Sequence, residues 1–201
     1  MILHYDLETT GFINRQVALS DPTQARIVQL AAILDDLDGN EIMRLDVIIA
    51  VARGVPPKAA AIHGITTEVS QRVGLNESRA IELFLDMLEV ADVVVGQNIV
   101  LFDNDLIIGA ARRVTADETL NPFEGKNIFD TMVAGAPICR LPWKGSGFKK
   151  PNLMELHRHF FHEDFAKAHS AISDVLAVRR VFYAMQDLVK APRESHEMVL
   201  Q

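Results

Sequence analysis

The chain has 201 residues, 49% hydrophobic and 23% charged. That excludes a largely disordered protein and fits one domain with a sizeable core. Lys and Arg number 20 against 27 Asp and Glu, for a net charge of −7, which excludes gripping nucleic acid by bulk positive charge but not a site that concentrates carboxylates. The single cysteine, Cys139, excludes an intramolecular disulfide and suits a reducing compartment. The N-terminus lacks the pattern of a secretion signal, and no window of about 20 residues is free of charge. The expectation is a soluble, cytoplasmic protein with no membrane span. One domain is expected over 1–190, with a polar C-terminal tail over 191–201.

The elements follow in chain order. Residues 1–6 are short and apolar and read as a strand ending at Asp6. Residues 13–25 are polar, contain Pro22 and read as a surface loop. The apolar runs 26–35 and 41–50 flank Asp38-Gly39-Asn40, a turn signal, so they read as a hairpin. Residues 51–75 hold Pro56-Pro57 and two short helical turns. Asn76 is placed to cap a helix in which Ile81, Phe84, Leu85 and Leu88 share one face. Val93-Val94-Val95 reads as a short buried strand, 103–113 as a helix, and 119–127 and 140–152 as loops. Helices are expected over 152–160 and 170–189. Three strands followed by a mixture of strands and helices indicate an α/β domain with a mixed sheet.

Three clusters carry chemistry. Asp6 and Glu8 alternate along a strand, so both face the same side. Alone, such a pair is most often two solvated acids. Close together, they repel unless a cation lies between them, and hard oxygen ligands suit Mg²⁺ or Mn²⁺. In the second cluster, Asn98 and Asp103 lie between a buried strand and a helix. Asp103 can cap that helix, or it can aim a third carboxylate at the sheet edge; Asp105 is a neighbouring acid whose spacing from Asn98 fits less well. The third is His169 with Asp174. On one continuous helix, residues five apart diverge by about 140° and about 7.5 Å. They converge if His169 precedes the helix and Asp174 sits in its first turn.

Taken together and in this order, Asp-x-Glu, Asp and His-x4-Asp resemble the DEDDh group of 3′–5′ exonucleases, in the DnaQ-like, RNase T-like superfamily. The resemblance covers roughly residues 1–185. Ile62-His63-Gly64-Ile65-Thr66, Phe129-Asp130-Thr131-Met132 and Pro151-Asn152-Leu153-Met154-Glu155-Leu156 resemble further segments of that family. Gln97 stands where many relatives carry His. Asn98 to Asp103 is one residue longer than in many, as in exonuclease I-like and family B polymerase exonuclease segments.

The resemblance implies a ribonuclease H-like exonuclease fold, α/β with a mixed central sheet flanked by helices. It implies two divalent cations, Mg²⁺ or Mn²⁺, held by Asp6, Glu8, Asp103 and Asp174, with His169 as the base that takes a proton from the attacking water. Substrate contacts are expected from the backbone of Thr9, Thr10 and Gly11 at the strand end and from Asn98, and Phe102 reads either as a core residue or as a ring on which a base stacks. Ile65 is expected as an apolar wedge against the last bases. Lys144, Lys149 and Lys150 with Trp143 form a candidate basic-aromatic edge. The implied reaction is hydrolysis of single-stranded DNA from its 3′ end, releasing nucleoside 5′-monophosphates. RNA trimming and a non-catalytic nucleic-acid-binding module are the alternatives. A homodimer or an association with a polymerase is the implied assembly.

Overall fold

A computed structural model describes residues 1–165 and 169–190; the expected tail over 191–201 lies outside the described residues, as does Ala168 before the third cluster. A five-stranded sheet is built from β1 (Ile2–Thr9), β2 (Ile27–Asp35), β3 (Glu41–Ile48), β4 (Val93–Gly96) and β5 (Asn127–Asp130). Its order is β3-β2-β1-β4-β5. The first three strands run antiparallel, whereas β1/β4 and β4/β5 are parallel, so the sheet is mixed as the element order predicts. The helices are α1 (Pro57–His63), α2 (Thr67–Val73), α3 (Glu77–Glu89), α4 (Asp103–Thr115), α5 (Thr131–Cys139), α6 (Leu153–Phe161) and α7 (Ala171–Lys190).

Strand alternation divides the residues between two layers. Leu3, Tyr5 and Leu7 of β1 join Leu30, Ala32 and Leu34 of β2 in a core closed by Ile81, Phe84 and Leu88 of α3 and by Leu106, Ile107 and Ala110 of α4. Phe84 is fully buried there, and truncating such a side chain to Ala costs about 3–5 kcal/mol. The other face carries His4, Asp6 and Glu8 opposite Ile33, Ala31 and Gln29. Ala31 and Ile33 pack on Ala171 and Val175 of α7. Every residue of β2 is buried, because helices cover both of its faces.

Polar groups fasten α7 to this second face. The buried Asp35 carboxylate accepts hydrogen bonds from Arg179 Nε (2.7 Å) and Tyr183 Oη (2.7 Å), and His4 Nε2 lies 3.2 Å away. Burial pushes the Asp35 carboxyl up, but the nearby His4 imidazole and the hydrogen bonds from Arg179 and Tyr183 together outweigh it and hold the group at about 2.

The long 10–26 connection has no regular structure, as expected. It is organised by the buried Gln24 amide, whose Nε2 donates to the Asn14 (2.7 Å) and Ala18 (3.2 Å) carbonyls and whose Oε1 accepts from Asn14 N (3.0 Å). The loop lies directly on α4 at Gly109, where a β-carbon would fall 2.3 Å from the Leu19 carbonyl oxygen.

Three expectations are corrected. The first strand runs on to Thr9, so Glu8 is a strand residue. The loop expected over 119–127 ends one residue early, because Asn127 begins β5. Neither β5 nor α5 is expected from the pattern. β5 is only four residues long, too short for alternation to show. α5 reads Thr-Met-Val-Ala-Gly-Ala-Pro-Ile-Cys, with no polar face and a proline inside the helix.

Candidate active site

The sheet order reverses direction between β1 and β4. In open α/β sheets the crevice outside the strand carboxyl ends at such a point is where ligands bind. β1 brings Asp6 and Glu8 there, and the turn after β4 brings Asp103. Asp103 opens α4 but does not hold its cap position, which is taken by Phe102 with no side-chain cap hydrogen bond. The Asp103 carboxyl is buried and faces Glu8 and Asp130. Asp105, by contrast, is committed to Arg15 at 3.1 Å.

His169 lies just before α7 and Asp174 in its first turn, the arrangement that convergence requires. His169 takes a left-handed backbone (φ 71°), and its N–H donates to Asp174 Oδ2 at 3.2 Å. Ligand atoms of Glu8, His169 and Asp174 all lie within 4.8 Å of one another.

Electrostatics bind the four acids into one site. Burial, then the charges of Asp103, Asp174 and Glu8, push the Asp6 carboxyl well above its ordinary range. Burial does the same to Asp103, aided by Glu8 and Asp130 and opposed by the backbone N–H groups of Asp103 and Leu7. Glu8 is pushed up to about 7 by burial and by Asp174. Asp174 is raised to about 6 by burial, against the pull of the His169 amide and imidazole. No Lys or Arg among the described residues pairs with any of the four. Four clustered carboxylates with no basic partner fit hard divalent cations, which supply the missing positive charge.

Thr9 ends β1 beside this crevice and Thr10 and Gly11 follow it, with both threonine hydroxyls engaged. Thr9 Oγ1 donates to the Gly11 carbonyl (2.9 Å), and Thr10 Oγ1 accepts from Arg26 N (2.8 Å). Gly11 takes a φ of 154°, which suits glycine, and its missing side chain lets another chain approach closely. Asn98 is exposed and left-handed (φ 62°), and its N–H donates to Asp130 Oδ1 at 2.9 Å. Phe102 is half-buried against the core and meets Phe12 edge-on at 6.3 Å.

The wedge expected at Ile65 is corrected. Ile65 is 8% exposed and packs with Val28, Val51 and Val55, because the Gly64 turn folds it inward. Exposed apolar side chains in this region include Ile62, on α1, and Phe12, which is 92% exposed. On the candidate basic-aromatic edge, Trp143 is exposed but Lys149 is paired with Glu155.

Sequence reasoning did not single out Phe12, Gln97 or Asp130 as site residues. Phe12 follows the Thr-Thr-Gly segment directly, and that adjacency is the signal that marks it. Gln97 donates to the Pro151 carbonyl (2.8 Å) and accepts from Thr131 Oγ1 (2.6 Å). With Asp6, His169 and Asp174 it lines a cleft of about 340 Å³, whose apolar wall is Leu153, Met154 and Phe165. Asp130, within the quoted Phe-Asp-Thr segment, caps α5 through Met132 N at 3.0 Å as well as holding Asn98.

Comparison with known proteins agrees with this fold. No curated protein matches. Among solved structures, E. coli exonuclease I in a zinc-bound complex with single-stranded DNA superposes with a TM-score of 0.69 at 22% identity, covering 96% of this chain and 41% of that one. E. coli exonuclease I in complex with a dA16 oligonucleotide gives 0.70 at 22%, covering 92% and 40%. Exonuclease I from Methylocaldum szegediense gives 0.70 at 26%, covering 92% and 40%. The chain thus spans about two fifths of the length of these structures. The family model described as exonuclease, of RNase T type, matches residues 3–182. The acids gathered at the β1/β4 crevice and the match along nearly the whole sheet-and-helix framework lead to one conclusion: this chain belongs to the RNase T-type exonuclease family.

Proposed function

We propose that the chain hydrolyses single-stranded DNA from its 3′ end, releasing nucleoside 5′-monophosphates. The observation that carries this reading is the convergence of Asp6, Glu8, Asp103 and Asp174 with His169 at one crevice. The similarity to exonuclease I, solved with single-stranded oligonucleotides, supports DNA as the substrate.

Asp6, Glu8, Asp103 and Asp174 would hold the divalent cations. When bound, such ions polarise the scissile phosphate and lower the pKa of a water. The His169 imidazole, exposed at the rim, accepts a proton from the water that attacks phosphorus. The P–O3′ bond breaks, and the 3′-oxygen leaves with a proton from solvent. The Asp174 carboxylate accepts the His169 amide, so the base and an acid of the site are placed by one turn of chain. The Thr9–Gly11 backbone meets the terminal nucleotide, and Asn98, on a left-handed turn held by Asp130, supplies a further substrate contact. Phe12 and Phe102 present aromatic surface on which a base stacks. Where the strand carries its phosphates, bound cations reverse the sign of an acidic site.

The test uses 3′- and 5′-labelled single-stranded DNA and RNA of one sequence, with Mg²⁺, Mn²⁺ or EDTA, beside Asp6→Ala. The expected result is metal-dependent shortening of DNA from the 3′ end that Asp6→Ala abolishes. Preferential shortening of RNA would replace the substrate. Absence of cleavage of either polymer, with binding retained, would replace the enzyme by a binding module.

A further inference from the structure

On the α7 face of the sheet, Gln29 stands directly across from Glu8. Its Oε1 accepts a hydrogen bond from Ala171 N at 3.2 Å, within the buried interface of sheet and helix. Ala171 is the first residue of α7, where an amide has no partner inside its own helix. On the other side, Gln29 Nε2 donates to Asp46 Oδ1 at 2.7 Å. Asp46 is exposed on β3, the edge strand, two residues from the Cα partner of Gln29 and therefore on the same face.

We propose that Gln29, oriented by Asp46, is a positioning residue for the His169–Asp174 turn: the Glu8–Gln29–Asp46 row fixes where the N-terminus of α7 meets the acids of β1. This rests on the functional reading above. The chemistry of the amide explains the need for both partners. A carboxylate only accepts, so Asp46 must face the NH₂ group of Gln29, which turns the carbonyl oxygen toward Ala171. Without Asp46 the amide is free to flip and present NH₂ to an N–H. Ala171 lies two residues after His169 and three before Asp174, so its anchor sets both. The same side-chain row then couples that turn to Glu8 across the strand pair. Asp46 touches none of the acids, yet by this route an edge-strand carboxylate governs their placement.

A reciprocal exchange tests the idea. Gln29→Leu removes the acceptor. Gln29→Glu keeps an acceptor for Ala171 but sets a second carboxylate against Asp46. Gln29→Glu combined with Asp46→Asn restores one donor and one acceptor in reversed order. Thermal melting first establishes that each variant is folded. Outer groups that orient site ligands typically change activity or metal affinity by about 10-fold or more. The expected result with single-stranded DNA is therefore a kcat lower by about 10-fold in both single Gln29 variants, with KM changed by less than about threefold. The double variant should recover most of that loss. Mn²⁺ affinity measured by calorimetry should follow the same order, and hydrogen exchange at the Ala171 amide should be fast only in Gln29→Leu. A double variant no better than Gln29→Glu, in both kcat and Mn²⁺ affinity, would overturn the proposal even if Gln29→Leu failed to fold. If the wild-type chain cleaves nothing, the exonuclease reading fails, while the Mn²⁺ ordering and amide exchange still decide the role of Gln29.

Discussion

Asp174→Asn should make the metal-free protein more stable while impairing its chemistry. The substitution keeps the shape of the side chain and an oxygen for the His169 amide, and removes one charge. Ligand atoms of Glu8 and Asp174 lie within 4.8 Å. Two unit charges at that separation repel by about 3.5 kcal/mol at an effective dielectric of about 20. Both side chains keep solvent contact, so screening reduces this to about 1–2 kcal/mol. For a domain of this size that is a rise in Tm of about 2–8 °C. The sign with pH follows from Glu8 at about 7 and Asp174 at about 6, both above their ordinary values. The stability contributed by these protonated groups is fully present below about pH 4 and is lost as pH rises through 6 and 7. Thermal melts in EDTA should therefore separate the variant from wild type at pH 8 and bring the two together at pH 5. Added Mn²⁺ at pH 8 should raise the wild-type Tm more than that of the variant. A variant no more stable than wild type in EDTA at pH 8 would refute the idea that these acids repel in the metal-free fold.

Asp35→Asn should destabilise by about 3 kcal/mol in urea titrations, because removing the charge of a buried pair leaves Arg179 poorly compensated; a loss under about 1 kcal/mol would show the cluster to be replaceable. Since Asp35 is held at about 2, its contribution is present above its ordinary range near pH 4 and is lost as pH falls from there toward 2. Melts should thus show metal-free stability declining on both sides of a maximum between about pH 4 and 6. His169→Ala should lower kcat by about 10²- to 10⁴-fold while Mn²⁺-induced stabilisation persists; unchanged turnover would remove His169 as the base. Phe12→Ala should weaken single-strand binding by about 1–3 kcal/mol with little change in Tm, since the ring is exposed; equal binding by both proteins would exclude stacking there.

What was legible in the sequence was whatever a short-range pattern encodes. Alternation placed Asp6 and Glu8 on one face, the Asp-Gly-Asn turn placed the first hairpin, and the helical geometry of residues five apart placed His169 ahead of α7. Contacts formed between distant segments were not legible. Ile65 lies in an apolar stretch like Ile62, and only the turn at Gly64 decides which of the two is buried. Gln29 looks like one polar residue in an apolar strand until β2 is set between Glu8 and Asp46. β5 gives no periodic signal of its own, because its four residues owe their structure to the ladder with β4. The bonds of the Thr9 and Thr10 hydroxyls to the Gly11 carbonyl and the Arg26 amide were likewise outside what the sequence pattern encodes.

Gly109 has a consequence for how such a site can change. The helix that begins with Asp103 carries, six residues later, the spot where the Leu19 carbonyl rests against bare backbone. A methyl group at Gly109 would act as a shim between α4 and the 10–26 loop, moving the chain that leads from Thr10 and Phe12 relative to the helix. On the function proposed above, the grip of this loop on a substrate would then be adjusted by the thickness of a single contact. A small substitution within α4 is therefore a route by which this scaffold can alter what it holds.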